Sequence, residues 1–144
     1  LLQVRKDLAR QPTRAVINNL AARFGFEIHD CMQDWEWEVS DPDRIEEFLD
    51  AYASGDLGDD ERFTLMETIL ESLEESGRQP ESDSLWAMAL ENLETHIRLH
   101  ASTVLYWSCL ETDDLALAWT VAPFCRRILD NHRDLFEDDG SAPS

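Results

Sequence analysis

The stretch Ser84–Val104, "SLWAMALENLETHIRLHASTV", decides the fold class. Trp86, Leu90, Leu93, Ile97, Ala101 and Val104 recur at steps of four, three, four, four and three residues. Side chains three and four apart share one face of an α-helix, whereas a half-buried strand alternates at every second position. Ser82 or Ser84 offers the hydroxyl that an N-cap requires. The run "STVLYWSC" that follows is rich in β-favouring types, so the helix is expected to end near His100 or to run on to about Cys109.

The same period extends in both directions. Upstream, a helix begins at Asp59 or Asp60, turns Phe63, Met66, Ile69, Leu70 and Leu73 inward, and stops at Gly77. Before it, Asp41 caps a helix with Pro42 at the first helical position, where a missing N–H leaves no bond unmade. Asp43 adds negative charge at the positive end of that helix, and Ile45, Phe48, Leu49 and Tyr52 form its buried stripe. Earlier still, Thr13 caps residues 14–24, with Val16, Ile17, Leu20, Ala21 and Phe24 at helical spacing and Gly25 just past the end. Downstream, "ETDD" opens a helix with the stripe Leu115, Ala118, Trp119 and Ala122. Pro123 kinks or restarts it, and Phe124, Ile128 and Leu129 carry the last turns.

The expectation is an all-α fold: one domain over residues 1–136, a bundle of five or six helices, with a short irregular or extended segment near 26–40. In that segment Phe26 and Ile28, then Trp35, Trp37 and Val39, alternate with polar residues. Residues 1–12 read as a basic arm or short helix, and residues 137–144, "EDDGSAPS", as a flexible acidic tail. A chain of 144 residues buries roughly 68–70% of its unfolded surface and holds a core without disulfides or metals. Cys31, Cys109 and Cys125 are odd in number and widely spaced, which is not a disulfide framework.

Charge is the strongest compositional signal. The net charge is −19, and it is uneven. Residues 1–23 hold five basic side chains and one acidic, residues 24–95 three basic and 22 acidic, and residues 96–144 four basic and eight acidic. Such a field repels nucleic acid and anionic membranes and attracts basic partners. No apolar run reaches the ~18–20 residues of a membrane span, and "LLQVRKDLARQ" lacks the apolar core of a secretory leader, so a cytoplasmic location is expected. The basic segment 1–23 complements the acidic middle, which leaves a homo-oligomer open.

Catalytic signatures fail one by one. His96 and His100 lie four apart, the spacing at which two imidazoles can share a metal, but Ile97 stands where a zinc protease has Glu and no third ligand is near. Cys125 has Arg126 and Arg127 beside it, yet the position six further on is Asn131, where a phosphatase loop has Arg. "DLGDDE" lacks the alternating ligands of a calcium loop. No cofactor and no enzymatic activity are expected.

The remaining feature is "QDWEWEV", Gln33–Val39, where two tryptophans sit among carboxylates. Trp is favoured at binding hot spots, and carboxylates around it steer a basic partner. The expected partner-binding residues are Asp34, Trp35, Glu36, Trp37 and Glu38, with Asp56, Asp59 and Asp60 beyond the next helix. In size, charge and helical content the chain resembles the bacterial immunity proteins that neutralise toxins; no motif matches residue by residue, so no site residue carries over. The resemblance implies a non-enzymatic module that docks or neutralises a basic protein. The alternatives are a nucleic-acid mimic, or a metal-dependent enzyme using His96 and His100.

Overall fold

In the computed structural model, which describes residues 2–26, 39–110 and 119–138, the chain is all-α. Six α-helices and one two-stranded antiparallel ribbon occur among the described residues. Most of the expected extended piece near 26–40, the "ETDD" helix start and the end of the acidic tail lie outside the described residues. Contacts group into a contiguous unit, Gln11–Ala89, and a split unit that joins Leu1–Arg10 to Leu90–Ser144.

The contiguous unit opens with helix α1, Arg14–Phe24. The Thr13 hydroxyl accepts the Val16 N–H, and Gly25 closes the helix at φ 73°, a left-handed geometry that glycine adopts without a Cβ clash. Val16, Ile17, Leu20 and Phe24 are buried, as their spacing predicts. The Asp41 carboxylate caps the Asp43 N–H at 2.9 Å. Pro42 begins not the α-helix itself but a 3-10 turn, Pro42–Arg44, which leads into α2, Ile45–Ala53. Ile45, Phe48, Leu49 and Tyr52 are buried. Burial pushes the Tyr52 hydroxyl up to about 12.

Helix α3, Asp59–Ser76, packs against both α1 and α2. Covered from two sides, it buries Leu65, Thr64, Thr68 and Ser72 in addition to its apolar stripe. Thr64 and Ser72 donate their hydroxyls to the carbonyls of Asp60 and Thr68, four residues back. Ser72 also accepts the Asp41 N–H at 2.9 Å, and Ser40 donates to Glu75 at 2.6 Å, so α3 anchors the chain that enters α2.

Arg44 closes the junction of α1 and α2. Its guanidinium lies 5.4 Å from the Phe26 and Phe48 ring centroids and 5.8 Å from that of Phe24. It donates to the Phe24 carbonyl at 2.8 Å and to Glu47 at 2.6 Å. The hydrogen bond from Arg44 holds the Glu47 carboxyl below its ordinary range.

Helix α4, Ser84–Thr95, is capped by Asp83, not by Ser82 or Ser84. One Asp83 oxygen accepts the Leu85 and Trp86 N–H groups at 2.9 and 3.1 Å, while the other takes Arg78 at 2.7 Å. A carboxylate can serve all three donors and a hydroxyl cannot. Desolvation pulls the Asp83 carboxyl upward, but Arg78 and the two N–H groups outweigh it and hold it below its ordinary value. Trp86 is fully buried and donates its indole N–H to the Arg78 carbonyl at 3.0 Å.

The stripe Trp86–Val104 lies on two helices rather than one. His96, at φ −111° and ψ 42°, separates α4 from α5, Ile97–Trp107. Its carbonyl accepts the N–H groups of both Leu99 and His100, a tightened turn that restarts the helix without losing the burial of Leu93, Ile97, Ala101 and Val104. Helix α6, Ala122–Asn131, packs on α5 and buries Ala122, Cys125, Ile128 and Leu129. Helix α6 begins at Ala122 with Pro123 in its first turn, where a missing N–H leaves no bond unmade; Trp119 is not helical, and its ring centroid lies 4.3 Å from that of Trp107.

A 3-10 turn, Arg133–Leu135, leads to β2, Phe136–Asp138, which pairs antiparallel with β1, Leu2–Val4. The N-terminal segment, read as a basic arm or short helix, thus begins as a strand, and Glu137 and Asp138 of the expected free tail belong to its partner. Backbone bonds from β2 replace those a helix would make internally. The Arg10 N–H then bonds the Ser102 hydroxyl of α5 at 3.1 Å.

These junctions can be tested by their effect on stability. Arg44→Ala is expected to cost about 2 kcal/mol in urea unfolding, since it removes ring contacts and a charged bond to a helix end. Glu47→Gln, at an exposed partner, is expected to cost under about 1 kcal/mol; equal losses would show that the ion pair alone matters. The Asp83 carboxyl lies below its unfolded value, so its contribution is present above that unfolded value and fades as pH falls through the folded one. The stability gap between the wild type and Asp83→Asn should therefore shrink between neutral and strongly acid pH. A gap independent of pH would contradict the assignment.

Candidate functional site

Within the split unit, the part of α4 from Leu90 onward faces α6 across an open groove of about 330 Å³. Leu90, Glu91 and Glu94 line it from α4, and Phe124, Arg127 and Ile128 from α6. Each set follows helical spacing, so each presents one edge of its helix. Ile128 is buried, Leu90 and Phe124 are half-buried, and Glu91 and Arg127 are exposed. The Arg127 guanidinium lies 5.8 Å from the Phe124 ring centroid. Glu94 Oε2 meets His132 Nε2 at 3.0 Å and accepts the Asn131 amide at 3.3 Å. Glu91 has no basic side chain within ion-pair distance among the described residues.

The groove offers an aromatic face, two aliphatic walls, two carboxylates and one guanidinium.

Of the residues singled out from the sequence, those within the described part do not line this groove. Asp34, Trp35, Glu36, Trp37 and Glu38 lie outside the described residues. Asp56, Asp59 and Asp60 are exposed around the start of α3 in the contiguous unit. Asp56 faces Arg23 at 3.7 Å, while Asp59 and Asp60 occupy the first turn of α3, where the helix dipole favours negative charge. His96 sits at the break between α4 and α5, and His100 is buried inside α5, so the two are not a pair on one uninterrupted helix. Among the described residues no group of three His, Cys, Asp or Glu side chains is placed to hold a metal ion.

Cys125 is buried, and the neighbouring Arg126 turns away to the end of α5. Arg126 donates to the Ser108 carbonyl at 2.6 Å and to the Cys109 carbonyl at 2.5 Å. Cys109 itself takes the left-handed conformation, φ 50°, as the chain leaves the helix. Sequence reasoning passed over Glu91, Glu94, Phe124 and Arg127 as a group. Their rows on α4 and α6 are regular, but nothing local says that the two helices meet there.

No helix among the described residues is long and apolar enough to cross a membrane. Compared with models of known families, with curated proteins and with solved structures, the chain matches none.

Burial of Cys125 predicts an inert thiol. In Cys31→Ser/Cys109→Ser protein, Cys125 should react with a disulfide reagent only as urea unfolds the chain. Rapid reaction in the native state would reopen it as a nucleophile.

Proposed function

We propose that this chain is a non-enzymatic binding module that docks a basic protein on an acidic surface. The carrying observation is how the cations of the contiguous unit are engaged. Residues 11–89 contain five basic and twenty acidic side chains. Four of the five basic residues are engaged as follows: Arg23 faces Asp56, Arg44 bonds Phe24 and Glu47, Arg62 lies over Tyr52, and Arg78 pairs with Asp83. Meanwhile Asp43, Glu46, Asp50 and Asp59 are exposed, with no basic side chain in ion-pair range among the described residues. Asp43, Glu46 and Asp50 follow one another at steps of three and four, along the outer side of α2 and the turn before it.

Carboxylates left unneutralised in this way produce a negative field that speeds encounter with a basic protein and disfavours acidic ones. The groove between α4 and α6, with two glutamates against one arginine, has the same sign. Both features suit recognition, and neither requires a reaction.

The test is kinetic. A protein captured from the native host is expected to be basic, with an association rate that falls as salt rises. The variant Glu46→Gln/Asp50→Asn/Asp59→Asn should associate roughly tenfold more slowly at low salt and dissociate at a similar rate. An acidic partner, or an unchanged association rate, would overturn the reading.

A further inference from the structure

We propose that the groove between α4 and α6 receives a single arginine side chain from the basic partner, its guanidinium on the Phe124 ring and its charge facing Glu91 and Glu94. The inference rests on the reading of the chain as a binder of basic proteins and assigns that partner's anchoring residue.

Three observations specify the occupant. The first is size. At about 330 Å³ the groove stands at the lower end of ligand pockets, which begin near about 300 Å³. It has room for one long side chain. The second is the balance of charge. Glu91 and Glu94 outnumber Arg127 in the lining; Glu94 Oε2 already meets His132 and Asn131, whereas Glu91 has no basic side chain in ion-pair range among the described residues. The third is the chain's own geometry. Arg127 already lies over Phe124 at 5.8 Å, so this ring presents a face to a guanidinium.

Arg127 is exposed, and its contact with Phe124 spans three residues of one helix. An exposed side chain changes rotamer within nanoseconds and can leave the ring when a better-placed cation arrives. An incoming arginine would stack its plane on Phe124, lay its aliphatic stem along Leu90 and Ile128, and offer its N–H fork to the glutamates. Lysine also has an aliphatic stem, but its compact charge offers no planar face to the ring and no rigid fork to the two carboxylates. Arg127 is therefore an internal competitor for the ring.

The experiment is an amide NMR titration of the whole chain with the capped tripeptide Gly-Arg-Gly, beside its lysine and citrulline counterparts. The arginine peptide is expected to shift the Leu90–Thr95 and Phe124–Ile128 amides saturably, the lysine peptide more weakly, and the neutral citrulline peptide not at all. Glu91→Gln, a change at an exposed side chain, should weaken binding severalfold, and so should Phe124→Leu in protein whose spectrum shows an intact fold. Arg127→Ala should tighten binding by about two- to fivefold, because it removes the competing cation. Equal shifts from citrulline, no shifts at all, no effect of Glu91→Gln, or weaker binding by Arg127→Ala would each overturn the proposal. Loss of peptide binding beside an intact charge effect on the outer side of α2 would remove the groove and leave the wider reading standing.

Discussion

Cations are scarce in this chain, twelve against thirty-one acids, and that scarcity governs how its helices end. A helix C-terminus carries partial negative charge and unpaired carbonyls. Only α1, through Arg23, has a basic residue in its own last turn; α2 to α6 have none. The ends are closed by other means. Left-handed glycines terminate α1 and α3. Guanidiniums from other helical segments reach the Phe24 carbonyl at the end of α1 and the Ser108 and Cys109 carbonyls beyond α5. Arg44 and Arg126 are thus connectors as much as charges: each ties one element to the end of another.

Features that depend on near neighbours along the chain are legible from the residues alone. The caps Thr13 and Asp41, the terminating Gly25 and Gly77, and the buried stripes of α1, α2 and α3 all follow from local spacing. Features decided by competition or by distance are not. Asp83 prevails over two serines because Arg78 and two N–H groups converge on it. The break at His96 leaves no trace in the stripe, since the apolar positions on both sides stay inward. The strand Leu2–Val4 is hidden because its partner comes at the far end of the sequence.

The candidate site divides along the same line. Acidity is plain from composition, but which acids remain unpaired depends on where the few arginines go, and that is tertiary information. The groove is more hidden still. Its six side chains are ordinary helix-edge residues, and they acquire a shared character only where α4 and α6 face each other. The expected aromatic–acidic segment, Asp34–Glu38, lies outside the described residues, so the site rests on other side chains.

The ribbon between Leu2–Val4 and Phe136–Asp138 gives the chain an order of assembly. During synthesis the first strand emerges long before its mate, while Gln11–Ala89 is complete in one stretch and can close early. Once that stretch has folded, the distance left to span is shorter than the residue count implies, and the entropy of closing it grows only slowly with length. The ribbon can close only in chains that extend through Asp138. Until then Leu2–Val4 is an open edge, able to pair with whatever strand it meets first.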